Sequence, residues 1–106
     1  MSYDVTLLAD TGGPDKVEVF WCNHTMNTSR MWRHAGCDIA EFHGRPANEF
    51  ATALRNAITA MESDPEFYRQ WNPPNGWGSY DTTLEFLGDL LKGCEANPLT
   101  TVYVSR

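Results

Sequence analysis

At 106 residues, with a net charge of −6 from 14 acidic against 8 basic side chains, the chain has the size of one domain (residues 1-106) whose core hides roughly two thirds of the unfolded surface. The acidic balance excludes a generic duplex nucleic-acid binder, which needs a basic face to displace counterions. No apolar run reaches the roughly 18 to 20 residues of a membrane span, and Met1-Ser2-Tyr3-Asp4 lacks the basic-then-apolar order of a signal peptide, so residence in the cytoplasm and no membrane contact are expected.

The first elements read as a hairpin. Tyr3 to Ala9 and Lys16 to Cys22 alternate in part and flank the turn-forming Thr11-Gly12-Gly13-Pro14-Asp15. In the second run Val17, Val19 and Trp21 share one face and Glu18, Phe20 and Cys22 the other, which leaves the Glu18 side at least partly exposed. Asn23 to Ser29 is a polar loop whose side chains bond their own backbone, and Ser29 caps a short helix from Arg30 to Ala35 that Gly36 stops. The two acceptor patterns for glycosylation in this loop, at Asn23 and Asn27, read as turn chemistry in a chain without a secretion signal. Asp38 to His43 fits either a short strand or a helical turn, and Gly44 closes it.

Pro46 suits the start of a long helix, Ala47 to Glu62, on which Phe50, Leu54, Ile58 and Met61 recur at helical spacing. Asp64 and Pro65 restart it through Trp71. After the uncharged stretch Asn72 to Tyr80, Ser79 or Asp81 caps a second long helix with an apolar stripe of Leu84, Leu87, Leu91 and Cys94. Gly88 and Gly93 weaken that helix by up to about 1 kcal/mol each relative to Ala. Asn97-Pro98 ends it, and Leu99 to Val104 is a β-branched third strand. The order predicts an α+β fold in which a small antiparallel sheet, the N-terminal hairpin plus the C-terminal strand, is covered by two long helices and a short one. No repeat or low-complexity segment interrupts it.

Three cysteines, Cys22, Cys37 and Cys94, are an odd count that speaks for reduced thiols rather than a disulfide framework. Cys22, His24, His34 and Cys37 carry zinc-ligand chemistry, but Cys-x-His followed by His-x-x-Cys lacks a paired knuckle, so no metal and no cofactor are expected. Cys37 follows a helix-ending glycine rather than opening a helix, a poor place for a thiolate nucleophile. Gly12-Gly13-Pro14 has neither the spacing nor the lysine of a phosphate loop. No catalytic residue is assigned.

Binding chemistry is better represented. Two prolines stiffen Asn72 to Tyr80, and glycines on either side of Trp77 permit positive φ, so the indole is either a plug over the core or a presented platform. Arg30, Arg33 and Arg45 with His34 and His43 form a local basic island against only Asp38 and Glu41. Should the Asn23 and Trp77 loops share one end of the sheet, Asn23, Thr25, Asn27 and Asn75 would read polar edges, Arg30 and Arg33 would draw an anion, and Trp32, Trp77 or Tyr80 would stack on a planar ring. The competing reading has the amides and hydroxyls satisfying their own loops, the arginines paired with Asp38 and Glu41, and the tryptophans in the core.

The Asn-x-Thr-x-Asn loop before Met31-Trp32, together with Asn72-Pro73-Pro74-Asn75-Gly76-Trp77-Gly78-Ser79-Tyr80, the Leu-rich helix and Cys94, resembles small phage and prophage proteins of uncharacterised function. The resemblance implies an accessory protein of host takeover or counter-defence in a bacterial cytoplasm, and it brings no catalytic residue with it. The function expected is therefore binding: sequestration of a nucleotide-like small molecule or inhibition of a host protein, with self-association left open. The alternatives are a small metal-assisted or nucleotide-processing enzyme and an acidic structural or DNA-mimicking module.

Overall fold

The computed structural model describes residues 2–106. Strand β1 (Ser2–Ala9) is central, paired antiparallel with β2 (Val17–Thr25) on one side and β3 (Thr101–Ser105) on the other. Between the strands run α1 (Ser29–His34), α2 (Ala47–Ser63), α3 (Pro65–Arg69) and α4 (Tyr80–Ala96), with short 3-10 turns at Met26–Thr28 and Ile39–Phe42. The α+β architecture expected from the sequence is present, and the C-terminal strand joins the hairpin sheet. The ambiguous segment after Asp38 is helical rather than extended.

The helices lie on one side of the sheet. Tyr3, Val5 and Leu7 of β1 and Val102 of β3 are buried with Met31, Trp32, Phe50, Leu54, Met61, Leu87 and Leu90. Paired residues share a face of a sheet, and the register sets His24 beside Tyr3, Cys22 beside Val5 and Phe20 beside Leu7. The Phe20, Cys22 and His24 side of β2 therefore faces the helices, while Val17, Val19 and Trp21 are 48%, 44% and 54% exposed. This corrects the sequence reading of a shared Glu18, Phe20 and Cys22 face. The register shifts between Leu7 and Leu8, so Leu8 pairs with Glu18 and skips Val19. One extra residue in β2 breaks the alternation and separates Glu18 from Phe20.

The helix stripes are close to their expected places. Helix α2 buries Phe50, Leu54 and Met61, while α4 turns Thr83, Phe86, Leu87, Leu90 and Cys94 inward and leaves Leu84 and Leu91 half-buried. Its inner face is shifted by about one residue because α4 packs on β2 as well as on α2. Gly93 is where Phe20 meets the helix: a Cβ there would lie 2.8 Å from the Phe20 ring. A reciprocal capping box between Ser79 and Thr82 starts α4. The carbonyl of Met61, in the last turn of α2, accepts a 2.7 Å bond from the Tyr80 hydroxyl, which ties the end of one long helix to the start of the other. Asp64 makes no side-chain cap, although Pro65 does open α3.

Candidate functional site

Strand β2 runs to Thr25, three residues beyond the sequence expectation, so Asn23 and Thr25 sit on a strand and only Asn27 lies in the turn after it. The Thr25 hydroxyl accepts from the Asn27 N–H at 3.2 Å and fixes that corner. Against the corner lies the Trp77 loop. The loop is braced from within, the Asn75 side chain accepting from the Trp77 N–H at 3.0 Å and the Asn72 side chain from the Tyr80 N–H at 2.7 Å. Gly76 and Gly78 have φ of 76° and 92°, a region that costs other residues about 1 to 2 kcal/mol. At Gly78 space is short as well: a Cβ would stand 2.6 Å from Thr25 Cγ2 and 3.0 Å from Thr28 Cγ2. The glycine lets the loop seat on the end of β2 while its neighbour Trp77 stays 69% exposed.

Between loop and strand opens a cleft of about 790 Å³ lined by Ser2, Asn23, His24, Thr25, Asn27, Trp77, Gly78 and Thr82. Every lining side chain is uncharged or, for His24, held toward neutrality. The His24 ring stacks on Phe86 at 5.0 Å and shares a hydrogen bond with the Thr83 hydroxyl at 3.2 Å. Burial lowers its pKa from the usual 6.5 because charging a ring shielded from water is costly. The cleft thus offers hydroxyls, amides, one neutral imidazole and one indole.

The structure brings Asn23, Thr25, Asn27 and Trp77 together and leaves the other expected site residues elsewhere. Trp32 is fully buried, edge-on to Tyr3 at 5.2 Å and beside Phe86 at 5.7 Å, so it is a core residue and not a stacking platform. Tyr80 is 3% exposed and its hydroxyl is spent on Met61. Asn75 braces its own loop. Arg30 lies over the Trp71 ring at 5.7 Å and Arg33 donates to Ser29 Oγ at 3.2 Å, so neither lines the cleft. Arg45 pairs with Glu49 at 3.3 Å rather than with Asp38 or Glu41. Exposed arginines settle on aromatic faces and nearby acceptors, and proximity in sequence did not converge them on one point.

The thiols and imidazoles also disperse. His34 stands among Phe67 and Trp71 at 4.8 and 5.1 Å, while Cys37 is buried. Burial, with Asp38 and Cys94 nearby, pushes the Cys37 thiol up to about 12, and burial does the same for Cys94. Among the described residues no group of three or more His, Cys, Asp or Glu is placed to hold a metal ion. The site residues missed from sequence are Ser2, His24, Gly78 and Thr82. The Ser79-x-x-Thr82 capping pattern is the readable signal for Thr82, and the alternation of β2 carried two residues further would have put His24 on the face of Phe20 and Cys22, though without showing that α4 covers it.

No protein-family model, curated protein or solved structure matches the chain.

Proposed function

We propose that the chain is a binding protein whose cleft takes the ring end of a nucleotide-like small molecule. The observation that supports this is the exposed indole of Trp77, held out by its own loop over a floor of uncharged donors and acceptors. A planar heterocycle stacks on an indole whatever its substituents, and amides and hydroxyls read its edge. The cleft residues carry no cation, so the ring rather than a phosphate is what they recognise, and any phosphate points away toward water. With the resemblance to small phage proteins, the fitting role is sequestration of a host nucleotide signal in an infected bacterium. Inhibition of a host protein is the companion reading, favoured by the uncovered sheet face around Trp21.

Calorimetry with nucleosides and with linear and cyclic nucleotides tests the proposal. The expected outcome is that at least one nucleoside binds about as tightly as its phosphorylated form. Trp77→Ala should weaken that binding by roughly tenfold or more, the worth of one stacked base, with the melting temperature unchanged because the side chain is 69% exposed. Binding by none of these compounds, or binding that ignores Trp77, overturns it.

A further inference from the structure

The two outer strands of the sheet are treated differently by the rest of the chain. Along β3, Gly44 N–H donates to the Val102 carbonyl at 2.8 Å, Val102 N–H to the Arg45 carbonyl at 2.9 Å and Val104 N–H to His43 Nδ1 at 3.0 Å. Pro46 adds a bridge to Thr101. Segment 43–46 thus clasps that edge along its length. On β2 nothing equivalent exists: among the described residues, no main-chain hydrogen bond reaches the side of β2 that faces away from β1.

Exposed edges are ordinarily blunted by charge, proline or a bulge. The start of β2 has such protection, with Lys16, Glu18 and the irregularity at Val19. The stretch Phe20-Trp21-Cys22-Asn23-His24 has none. It contains no lysine, acid or proline, and Trp21 and Asn23 are exposed. Beside it runs α4, and a groove of about 230 Å³ separates Cys22, Asn23 and His24 from Thr82, Glu85, Phe86 and Asp89. Glu85 and Asp89 are one helical turn apart and exposed, and neither has an ion-pair partner among the described residues. The negative charge of Asp89 reaches the strand, where it adds to burial in pushing the Cys22 thiol up.

We propose that the Phe20 to His24 edge of β2 receives an extended basic segment of a partner protein as a fourth strand. Side chains of an added strand point alternately to the two faces of the sheet. Those on the helix side come against Glu85 and Asp89 and are lysine or arginine. Those on the other side come beside Trp21, which continues across the sheet into Thr6 and Tyr103, and are apolar. A second copy of this chain is the poorer occupant, because pairing β2 with β2 sets Glu85 and Asp89 of both copies near one another in a protein of charge −6. The groove shares Asn23, His24 and Thr82 with the ring-binding cleft but does not include Trp77, so loss of the indole separates the two readings.

The probe is an eight-residue peptide of alternating lysine and valine, added to the full chain and followed by hydrogen exchange and calorimetry. Slowed exchange at alternate amides from Phe20 to His24 is expected, with affinity falling as salt rises. The double variant Glu85→Gln, Asp89→Asn should keep its melting temperature and lose roughly tenfold in affinity. A glutamate–valine peptide, or the lysine–valine peptide N-methylated on its edge-facing amides, should not bind, and Trp77→Ala should bind as the parent does. Absence of protection at β2, equal affinity in the double variant, or protection that appears with protein concentration alone overturns the proposal; the last outcome assigns the edge to a second copy.

Discussion

His24 shows how one residue's surroundings decide its chemistry. Its ring sits between Phe86 and the Thr83 hydroxyl and is half-buried, so the folded chain resists its protonation. With the folded pKa below the unfolded 6.5, the unfolded chain binds the extra proton first as pH falls. The stability contributed is complete above 6.5 and is lost as pH drops from there toward the folded value. Denaturant titrations between about pH 7 and about pH 5.5 should show falling stability, and His24→Gln should flatten that slope; an unchanged slope in the variant places the proton elsewhere. None of this was legible from sequence, because a histidine in an alternating polar run looks the same whether α4 covers it or not. Trp32 and Tyr80 were misplaced for the same reason. Residue type announces an aromatic, and only packing says whether Tyr3 and Phe86 or solvent meets its face.

Helix α4 sets two glycines of the same apparent cost in opposite situations. Gly88 has nothing within 4 Å of where a Cβ would stand, whereas at Gly93 the Phe20 ring is 2.8 Å away. Gly88→Ala should stabilise the chain by about 0.4 to 1 kcal/mol through helix propensity and the unfolded chain's lost freedom. Gly93→Ala should destabilise it by about 1 to 3 kcal/mol, because the propensity gain is smaller than the strain of moving Phe20 and the strand it stands on. Urea melts of both variants check the pair; equal signs would mean that Phe20 yields freely. The periodicity of α2 and α4 was readable because each has one dominant apolar stripe at helical spacing. The face of β2 was not readable, since a single bulged residue at Val19 inverts any alternation counted across it.

Viewed whole, the molecule depends on a join between its two ends. Val102 is buried against β1, Val104 is half-buried beside it, and segment 43–47 hangs its backbone on residues 100 to 104. Deleting residues 99 to 106 should remove roughly 3 kcal/mol or more of apolar burial, counted from the two valines alone, and leave β1 unpaired on that side. Against a typical total of about 5 to 15 kcal/mol, the truncated chain should lose its cooperative thermal transition by circular dichroism; a sharp transition near the parent's temperature would show that β3 is dispensable. This much of the topology was open to sequence reasoning, because β-branched ends around a helical middle have few ways to close. The place where the two polar loops meet was legible in part: four of the cleft's residues are named by their side-chain chemistry, whereas Arg30 and Arg33 were expected there and instead, respectively, lie over the distant Trp71 ring and bond Ser29 one helical turn away.

The clasp of residues 43–46 over β3 also settles how many strands the native sheet can gain. Growth into a fibre needs every added unit to present a fresh edge of the kind it has just covered. Here the β3 border is covered by the chain's own backbone, so two native copies paired β2 to β2 would present no open edge to a third. The folded chain therefore offers one edge and not two, and polymerisation of native copies through their sheets would first require the clasp to open.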